Sequence, residues 1–434
     1  MKFGKIGTVG KVTLVCGLAL SVATLFSACG TLTVGFLYVA TTKQTPGQIE
    51  VYEVNSEAGS LRTIPTSPFP SGGRNPIAEA VSTDFANLYV VNGDDNNITQ
   101  FGIGNDGKLY AQSTINTPGT FPMAEAVNPA NPFLYVVDTL QPVPGCTLTN
   151  PCPGAVAGYA IQPTKSANDP GALGVGPSGC SATPSSTQTQ CTNGNAILNS
   201  NGLSYVPLQL SALDTTVLTP TGITVTANGS YAYVSAYNPS TNQGYIFAFS
   251  IGTDGSLSAV SSGVNYAFNG QQVAQVPFSA GSEPSALIGD TTGAYLYVVD
   301  KINNQISTYT VQSSGTIALA GSVATGGQPS AVTQSSAGFV YVANSLDGTV
   351  TGYNASSGTL TNFGTYDAGT QPVAVIGDPR KLGFLYTVNF LGNSVSGYQV
   401  NSSTGALVNT KASPYISSVQ PTAIVGIPHD GNAH

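Results

Sequence analysis

The sequence predicts an all-β protein, a seven-bladed β-propeller of four-stranded antiparallel blades whose ring is closed by the C-terminal strand. The first observation is a Tyr-Val strand, or its equivalent, that recurs seven times, at Tyr38, Tyr89, Tyr135, Tyr233, Tyr297, Tyr341 and Tyr386. Several neighbouring copies are about 44 to 51 residues apart, the length of one four-stranded blade.

The second observation is a proline that opens a short apolar strand about thirteen residues before six of these tyrosines, at Pro76, Pro122, Pro220, Pro284, Pro329 and Pro372. A seventh such strand, 420–425, begins around Pro421 and has no tyrosine strand after it. The first tyrosine strand, 36–39, in turn has no proline strand before it. Pairing these two segments closes the ring and protects sheet edges that would otherwise be open.

The repeat that begins at Pro284 shows the four strands of one blade. Stretches rich in β-branched and aromatic residues at 284–288, 294–299, 305–311 and 316–323 alternate with turns rich in Asp, Asn, Gly and Ser. The same order returns from Pro329 and from Pro372. No helical periodicity of useful length occurs after residue 30.

Residues 1–28 are predicted to be a lipoprotein signal peptide, because three lysines precede an apolar run at 12–26. The segment 25–29, Leu-Phe-Ser-Ala-Cys, resembles a bacterial lipobox. It predicts a lipid on Cys29, a short tether at 29–33 and anchorage to the outer membrane of a bacterial cell envelope. The alternative is an ordinary cleavage near Ala28 and a secreted or periplasmic protein. The propeller is then expected at 34–427, with a tail at 428–434.

Charge limits the range of partners. The chain has 12 basic and 20 acidic residues, and removal of the signal leaves a net charge of about −11 (9 − 20). No basic patch is present, so the sequence argues against nucleic acid and against electrostatic binding to anionic lipid. The membrane is expected to be a partner only through the N-terminal lipid.

Four cysteines remain after the signal and the lipidation site, all between Tyr135 and Tyr233, where the repeat spacing doubles. Either an eighth blade or insertions explain this gap. Residues 163–202 lack a Tyr-Val strand, so we predict insertions at about 139–154 and 163–202. Of three possible pairings we favour Cys146–Cys152 and Cys180–Cys191, because each pair falls within one loop. A metal site is disfavoured, since neither spacing is CxxC and no histidine is near.

Glu79 and Glu125 are the leading candidates for chemistry. Each lies three residues after a blade proline, where the other repeats hold Ile223, Leu287, Val332, Val375 and Ile424. Innermost strands line a propeller's channel, so the two carboxyl groups are expected near each other, where burial would produce an acid/base pair. The alternative is that both point into a hydrated channel without a specific role.

Arg74 is the third candidate, two residues before Pro76. We expect either a salt bridge to Glu79 or Glu125, which is slightly favoured, or a clamp for an anionic ligand group. The run 92–97, Asn-Gly-Asp-Asp-Asn-Asn, offers oxygen ligands for Ca²⁺, but a strand-connecting turn is the favoured interpretation. No metal and no cofactor is predicted.

The repeat motifs Gln-Pro-x-Ala, Leu-Tyr-Val-Val-Asp/Asn, Asn-x-Ile-Ser-x-Tyr and Gly-x-Leu resemble those of the lactonase-type seven-bladed propellers, which include 6-phosphogluconolactonase and carboxymuconate cyclase. Tyr-Thr-Val-Asn at 386–389 also resembles YVTN surface propellers. The resemblance covers about 34–427 and implies lactone hydrolysis. Active members carry a proline-histidine pair at a blade start, whereas no blade proline here precedes a histidine.

Two functions are therefore expected. In the first, an envelope-anchored propeller binds a small molecule, glycan or protein at its channel face without catalysis. In the second, the protein is a lactonase, a carboxylic ester hydrolase, with Glu79 or Glu125 as the base and Arg74 stabilising the oxyanion. The only histidines, His429 and His434, lie near the C-terminus, and no GxSxG motif occurs, so the sequence argues against a Ser-His-Asp hydrolase.

Overall fold

Seven antiparallel sheets follow one another in a ring in the computed structural model, which describes residues 32–42, 45–162, 171–174, 196–197, 199, 202–378 and 383–429. Within these residues no segment is helical, and no helix there is long and apolar enough to cross a bilayer. The predicted fold class is confirmed. The innermost strands of successive blades contact each other all the way round, so the ring is complete.

The strands of each blade are given from the channel outward. Blade 1 contains Pro421–Pro428, Thr33–Thr41, Gln48–Asn55, Leu61–Thr63 and Phe69–Pro70; blade 2 contains Pro76–Val81, Asn87–Asn92, Asn97–Ile103 and Leu109–Asn116. Blade 3 contains Thr120–Val127, Phe133–Leu140, Ala155–Ile161, Leu173–Gly174 and Val206–Pro207; blade 4 contains Thr219–Val225, Tyr231–Tyr237, Gln243–Ile251, Leu257–Val260 and Phe278–Ser282. Blade 5 contains Pro284–Gly289, Tyr295–Asp300, Gln305–Val311 and Ile317–Ala324; blade 6 contains Pro329–Gln334, Phe339–Asn344, Thr349–Ser356 and Thr359–Asp367; blade 7 contains Pro372–Gly377, Phe384–Asn389, Ser394–Val400, Leu407–Asn409 and Tyr415–Ile416.

Ring closure follows the prediction. Pro421–Pro428 pairs antiparallel with Thr33–Thr41, so one sheet joins the two ends of the described chain. Glu50 reinforces this joint from the third strand of blade 1. Its carboxylate accepts hydrogen bonds from the Ser418 amide at 2.8 Å, the Ser418 hydroxyl at 2.5 Å and the Tyr52 hydroxyl at 2.6 Å.

The core consists of seven apolar clusters, each between two neighbouring blades. The repeated tyrosines lie in these seams and link the blades. Six of them donate a hydrogen bond to the carbonyl of a positive-φ glycine in the next blade: Tyr38 to Gly107, Tyr89 to Gly171, Tyr135 to Gly255, Tyr233 to Gly315, Tyr341 to Gly405 and Tyr386 to Gly59. The close approach also requires glycine, since a Cβ at Gly59 would lie 2.3 Å from the Phe384 ring. The Tyr-Val repeat is therefore a structural link between blades.

Tyr386 is expected to stabilise the seam that closes the ring. Tyr386→Phe should lower the free energy of unfolding by about 1 kcal/mol, because it removes a buried hydrogen bond of 2.8 Å to Gly59. Tyr297→Phe is the matched control, since Tyr297 makes no such bond among the described contacts. Urea denaturation measures both, and equal losses would show that the hydroxyl link is not what stabilises the ring.

Blade 3 contains the irregular stretch. The structure forms the predicted Cys146–Cys152 disulfide in the loop between the second and third strands. Ala155–Ile161 is the third strand, as predicted, but the region expected to be purely an insertion, 163–202, also supplies the outer strand Leu173–Gly174. Most of that region, including Cys180 and Cys191, lies outside the described residues, as do the signal peptide and Cys29. Those assignments stay predictions.

One element was not predicted. The hairpin Asn265–Phe268 and Gln271–Ala274 is a separate two-stranded sheet inserted in blade 4. Tyr266 attaches it to the ring through a 2.7 Å hydrogen bond to Asp214. The signal in the sequence was the longer spacing between Tyr233 and Tyr297, about 64 residues rather than about 45.

Candidate active site

Glu79 and Glu125 occupy equivalent places on the innermost strands of blades 2 and 3. Glu79 pairs in register with Val90 and Glu125 with Val136. Each valine packs against the blade before it, so each glutamate faces a seam between two blades. In the other five blades this place holds an apolar side chain, namely Ile223, Leu287, Val332, Val375 or Ile424. Two adjacent seams therefore contain a carboxyl group where the repeat calls for an aliphatic one.

Both carboxyl groups are buried without a described hydrogen-bond donor or ion-pair partner. All four of their oxygen atoms are sealed from solvent, and no described residue donates a hydrogen bond to them. Burial raises the pKa of Glu79 well above its ordinary range, and the Ala40 main chain, which lies near but outside hydrogen-bonding geometry, offsets this only in part. Burial also raises the pKa of Glu125, and the charge of Glu79 raises it further. Burial therefore disfavours the ionised form of both groups, and the ionisation of one disfavours that of the other.

The residue after the blade proline also differs among the blades. In blades 1, 5 and 6, Thr422, Ser285 and Ser330 donate hydrogen bonds of 2.5 to 2.7 Å to the proline carbonyl of the next blade. Blades 2, 3 and 7 have Ile77, Met123 and Val373 at this place and therefore lack the bridging hydroxyl. Blades 2 and 3 combine this loss with a carboxyl group three residues after the proline.

Arg74 lies apart from both glutamates. Its guanidinium forms an ion pair with Asp95 at 2.6 Å, and its main-chain amide donates to the same carboxylate at 2.7 Å. Its side chain is 55% exposed. The hydrogen bond to Asp95 raises the pKa of Arg74 and lowers that of Asp95. The expected bridge from Arg74 to Glu79 or Glu125 is therefore wrong: the facing turn of its own blade supplied a nearer carboxylate.

The turn at 92–97 uses its oxygen atoms to hold the protein together. Asp94 accepts a hydrogen bond from Asn75, Asp95 binds Arg74, and Asn96 accepts the amide of Phe121 from the next blade at 2.7 Å. These contacts support the turn interpretation over a calcium site. They also explain why Asp, Asn and Gly are found there.

Asp138 is a buried carboxyl that sequence reasoning did not single out. Its place at the end of the second strand is taken by asparagine in blades 2, 6 and 7. The Gly119 amide donates to one oxygen at 3.0 Å, while the other oxygen and the neighbouring Tyr159 hydroxyl have no partner among the described residues. Burial raises the pKa of Asp138 to about 7, although hydrogen bonds from Thr117 and Gly119 oppose the shift.

The reason for this exception lies in the third strand. In blade 6 the Asn344 amide donates to the hydroxyls of Thr349 and Thr351 at 3.0 and 2.9 Å. The matching residues in blade 3 are Ala155 and Ala157. An asparagine amide at position 138 would have no hydroxyl to donate a hydrogen bond to. The sequence therefore contained a signal for the aspartate, namely alanine at both positions where blade 6 has threonine.

Free cations are scarce in the part of the chain that the structure describes. Four of its five basic side chains are ion-paired: Arg62 with Glu53, Arg74 with Asp95, Lys108 with Asp106 and Lys301 with Glu283. The fifth, Lys411, follows the outer strand of blade 7. No described cation therefore stands beside the glutamate pair to hold an anionic group of a ligand.

Comparison with known proteins supports the seven-bladed propeller fold and its resemblance to the lactonase-type propellers. Residues 267–377, about a quarter of the chain, match the family model described as Lactonase, 7-bladed beta-propeller. No curated protein matches the chain. The predicted resemblance to lactonase-type seven-bladed propellers is confirmed.

Several solved structures share the whole ring. A putative 6-phosphogluconolactonase from Bacteroides fragilis is 17% identical with a TM-score of 0.65, and the match covers 92% of this chain and 100% of that one. The periplasmic gluconolactonase PpgL of Pseudomonas aeruginosa is 16% identical with a TM-score of 0.66, covering 91% and 99%. At this level of identity the likeness establishes the fold alone.

Proposed function

We propose that this lactonase-type seven-bladed propeller hydrolyses an uncharged lactone, with Glu79 and Glu125 as its acid and base. One observation carries the proposal: two adjacent blades seal carboxyl groups from solvent at a place where the other five blades have aliphatic side chains. Burying such groups is unfavourable, and departures from a repeat that cost stability are typical of functional sites. The family match and the gluconolactonase neighbours support this choice over a purely binding role.

In the proposed reaction the ionised carboxyl takes a proton from a water molecule. The water oxygen attacks the lactone carbonyl carbon and forms the new C–O bond. The ring C–O bond then breaks, and the ring oxygen receives the proton of the other carboxyl. The raised pKa of both groups favours their protonated forms, as the role of the acid requires, and a raised pKa also makes the ionised group a stronger base. Because the carboxyl oxygens are sealed, entry of water and substrate past the innermost strands is part of the proposal.

The charge around the pair favours an uncharged substrate. A phosphorylated lactone needs a cation to hold its phosphate, and the described cations are ion-paired or distant from the pair. The formal net charge of the whole chain, −8, would also repel a dianion. Arg74, predicted as the oxyanion stabiliser, has no role in this proposal because Asp95 binds it.

The test is hydrolysis of glucono-1,5-lactone, its 6-phosphate and simple aliphatic lactones by the purified protein, measured above the buffer rate. Glu79→Gln and Glu125→Gln should each lower turnover by roughly 10²- to 10⁴-fold, the usual contribution of an acid or base. Arg74→Ala is the matched control and should keep turnover. Full activity in both glutamate variants would overturn the proposal.

Ligand binding without catalysis is the second candidate. The observation that favours it is the complete closure of both carboxyl groups from solvent. A folded protein that hydrolyses none of these lactones would support this second function.

A further inference from the structure

A cleft lies on the channel face between blades 6 and 7, well separated along the ring from the glutamates of blades 2 and 3. Its volume is about 650 Å³. It is lined by the turns after the second strands of these blades and by residues 367–371, which lead into the innermost strand of blade 7. We call this feature the rim cleft.

Aliphatic side chains project into solvent at the rim cleft. Leu346 and Leu391 are 68% and 57% exposed at the same position of their turns, and Ile302 of blade 5 is 49% exposed at the equivalent position. Blade 2 has Asp94 there. The geometry of the turn therefore does not require an apolar residue at this position. Blades 5, 6 and 7 nevertheless each expose an aliphatic side chain there. Leu346 and Leu391 line the same cleft, and exposed apolar side chains grouped in this way are typical of a docking site.

Two carboxylates accompany the leucines. Asp347 and Asp367 both line the rim cleft. Asp347 accepts the Gly327 amide at 2.5 Å, which fixes its orientation. No described lysine or arginine lines the cleft. The described cations of the neighbouring blades are Lys411, which follows the outer strand of blade 7, and Lys301 of blade 5, which is bound by Glu283. A ligand with positive charge would meet no local repulsion and would be attracted by an acidic chain.

We propose that the rim cleft binds a basic, aliphatic peptide segment of a partner protein. Its lysine or arginine side chains would lie against Asp347 and Asp367, and its aliphatic side chains against Leu346 and Leu391. A peptide is favoured over a small cation because the apolar positions continue from blade 7 to Ile302 in blade 5, beyond the cleft itself. Extended peptides combine such apolar and charged contacts.

The probe is a fluorescein-labelled peptide of alternating leucine and lysine, with a leucine/glutamate peptide as its counterpart. Fluorescence anisotropy with the whole protein should show saturable binding of the lysine peptide, weakened by salt, and none of the glutamate peptide. The double variant Leu346→Ser/Leu391→Ser, which removes the apolar contacts without changing the charge of the cleft, should weaken binding by about tenfold or more. Asp347→Asn/Asp367→Asn should do the same.

Controls separate this proposal from the glutamate site. Glu79→Gln should leave peptide binding unchanged, and the leucine variants should leave any lactone turnover unchanged. Peptide binding that is insensitive to all four rim substitutions would overturn the proposal. Binding of butylamine as tight as that of the peptide would overturn it as well, in favour of a site for small cations.

Discussion

Replacing Glu79 and Glu125 together by leucine is expected to raise the free energy of unfolding by about 1 to 4 kcal/mol at pH 8, the range found when buried ionic groups give way to apolar residues. Leucine fits the site, since Leu287 occupies the same place in blade 5. Both glutamates have a raised pKa in the folded protein, so stability is lost as pH rises above the unfolded value of about 4.5. The gain from leucine should therefore be larger at pH 8 than at pH 5.

Urea denaturation at the two pH values measures this effect, and Glu57→Leu is the control because Glu57 is exposed. The same double variant should lose lactone turnover. A more stable protein without activity would mean that the carboxyl groups are retained for function at the expense of stability. A variant that is less stable at both pH values would instead indicate that the carboxyl groups have stabilising partners, such as bound water.

The fold followed from the sequence because each blade repeats a local rule. Strand length, turn chemistry and the spacing of Tyr and Pro are local properties, and the pairing of Pro421–Pro428 with Thr33–Thr41 followed from counting strands at the two ends. Positions along a repeat can also be compared with one another. That comparison identified Glu79 and Glu125 as exceptions before any contact was known.

The contacts between loops could not be predicted from the sequence. Arg74 binds Asp95, about twenty residues away in a facing turn of the same blade, and nothing in the spacing distinguished this partner from Glu79. The hydrogen bond from Tyr386 to Gly59 joins residues 327 positions apart. The insertion in blade 4 was missed because its residues alternate like an ordinary strand pair. For Arg74 and Tyr386 the missing information was which loops lie next to each other in the folded ring.

Asp138→Asn is expected to stabilise the protein above neutral pH. The pKa of Asp138 rises from 3.8 to about 7 on folding, so the folded state holds a proton that the unfolded state has released. The native protein therefore loses stability between about pH 4 and pH 7, by about 4 kcal/mol for roughly three pKa units. Asparagine has the shape of the protonated acid and cannot ionise, but its amide would lack the hydroxyl partners that Asn344 has in blade 6. The variant should therefore be no more stable than the native protein near pH 4, and its relative stability should grow with pH and level off above pH 7.

Asp300 provides the matched control, because it lies at the same strand end in blade 5 and both of its carboxylate oxygens accept hydrogen bonds. It accepts hydrogen bonds from the Ser282 amide at 2.7 Å, from the Asn303 amide and side chain, and from Gln305. Asp300→Asn removes acceptors and should destabilise at pH 8, the opposite sign to Asp138→Asn. Denaturation curves for both variants from pH 4 to 9 test this pair of expectations. If Asp138→Asn were destabilising throughout, the ionised carboxylate would have to be paired, and the unpartnered oxygen and the Tyr159 hydroxyl would need another explanation, such as a bound cation.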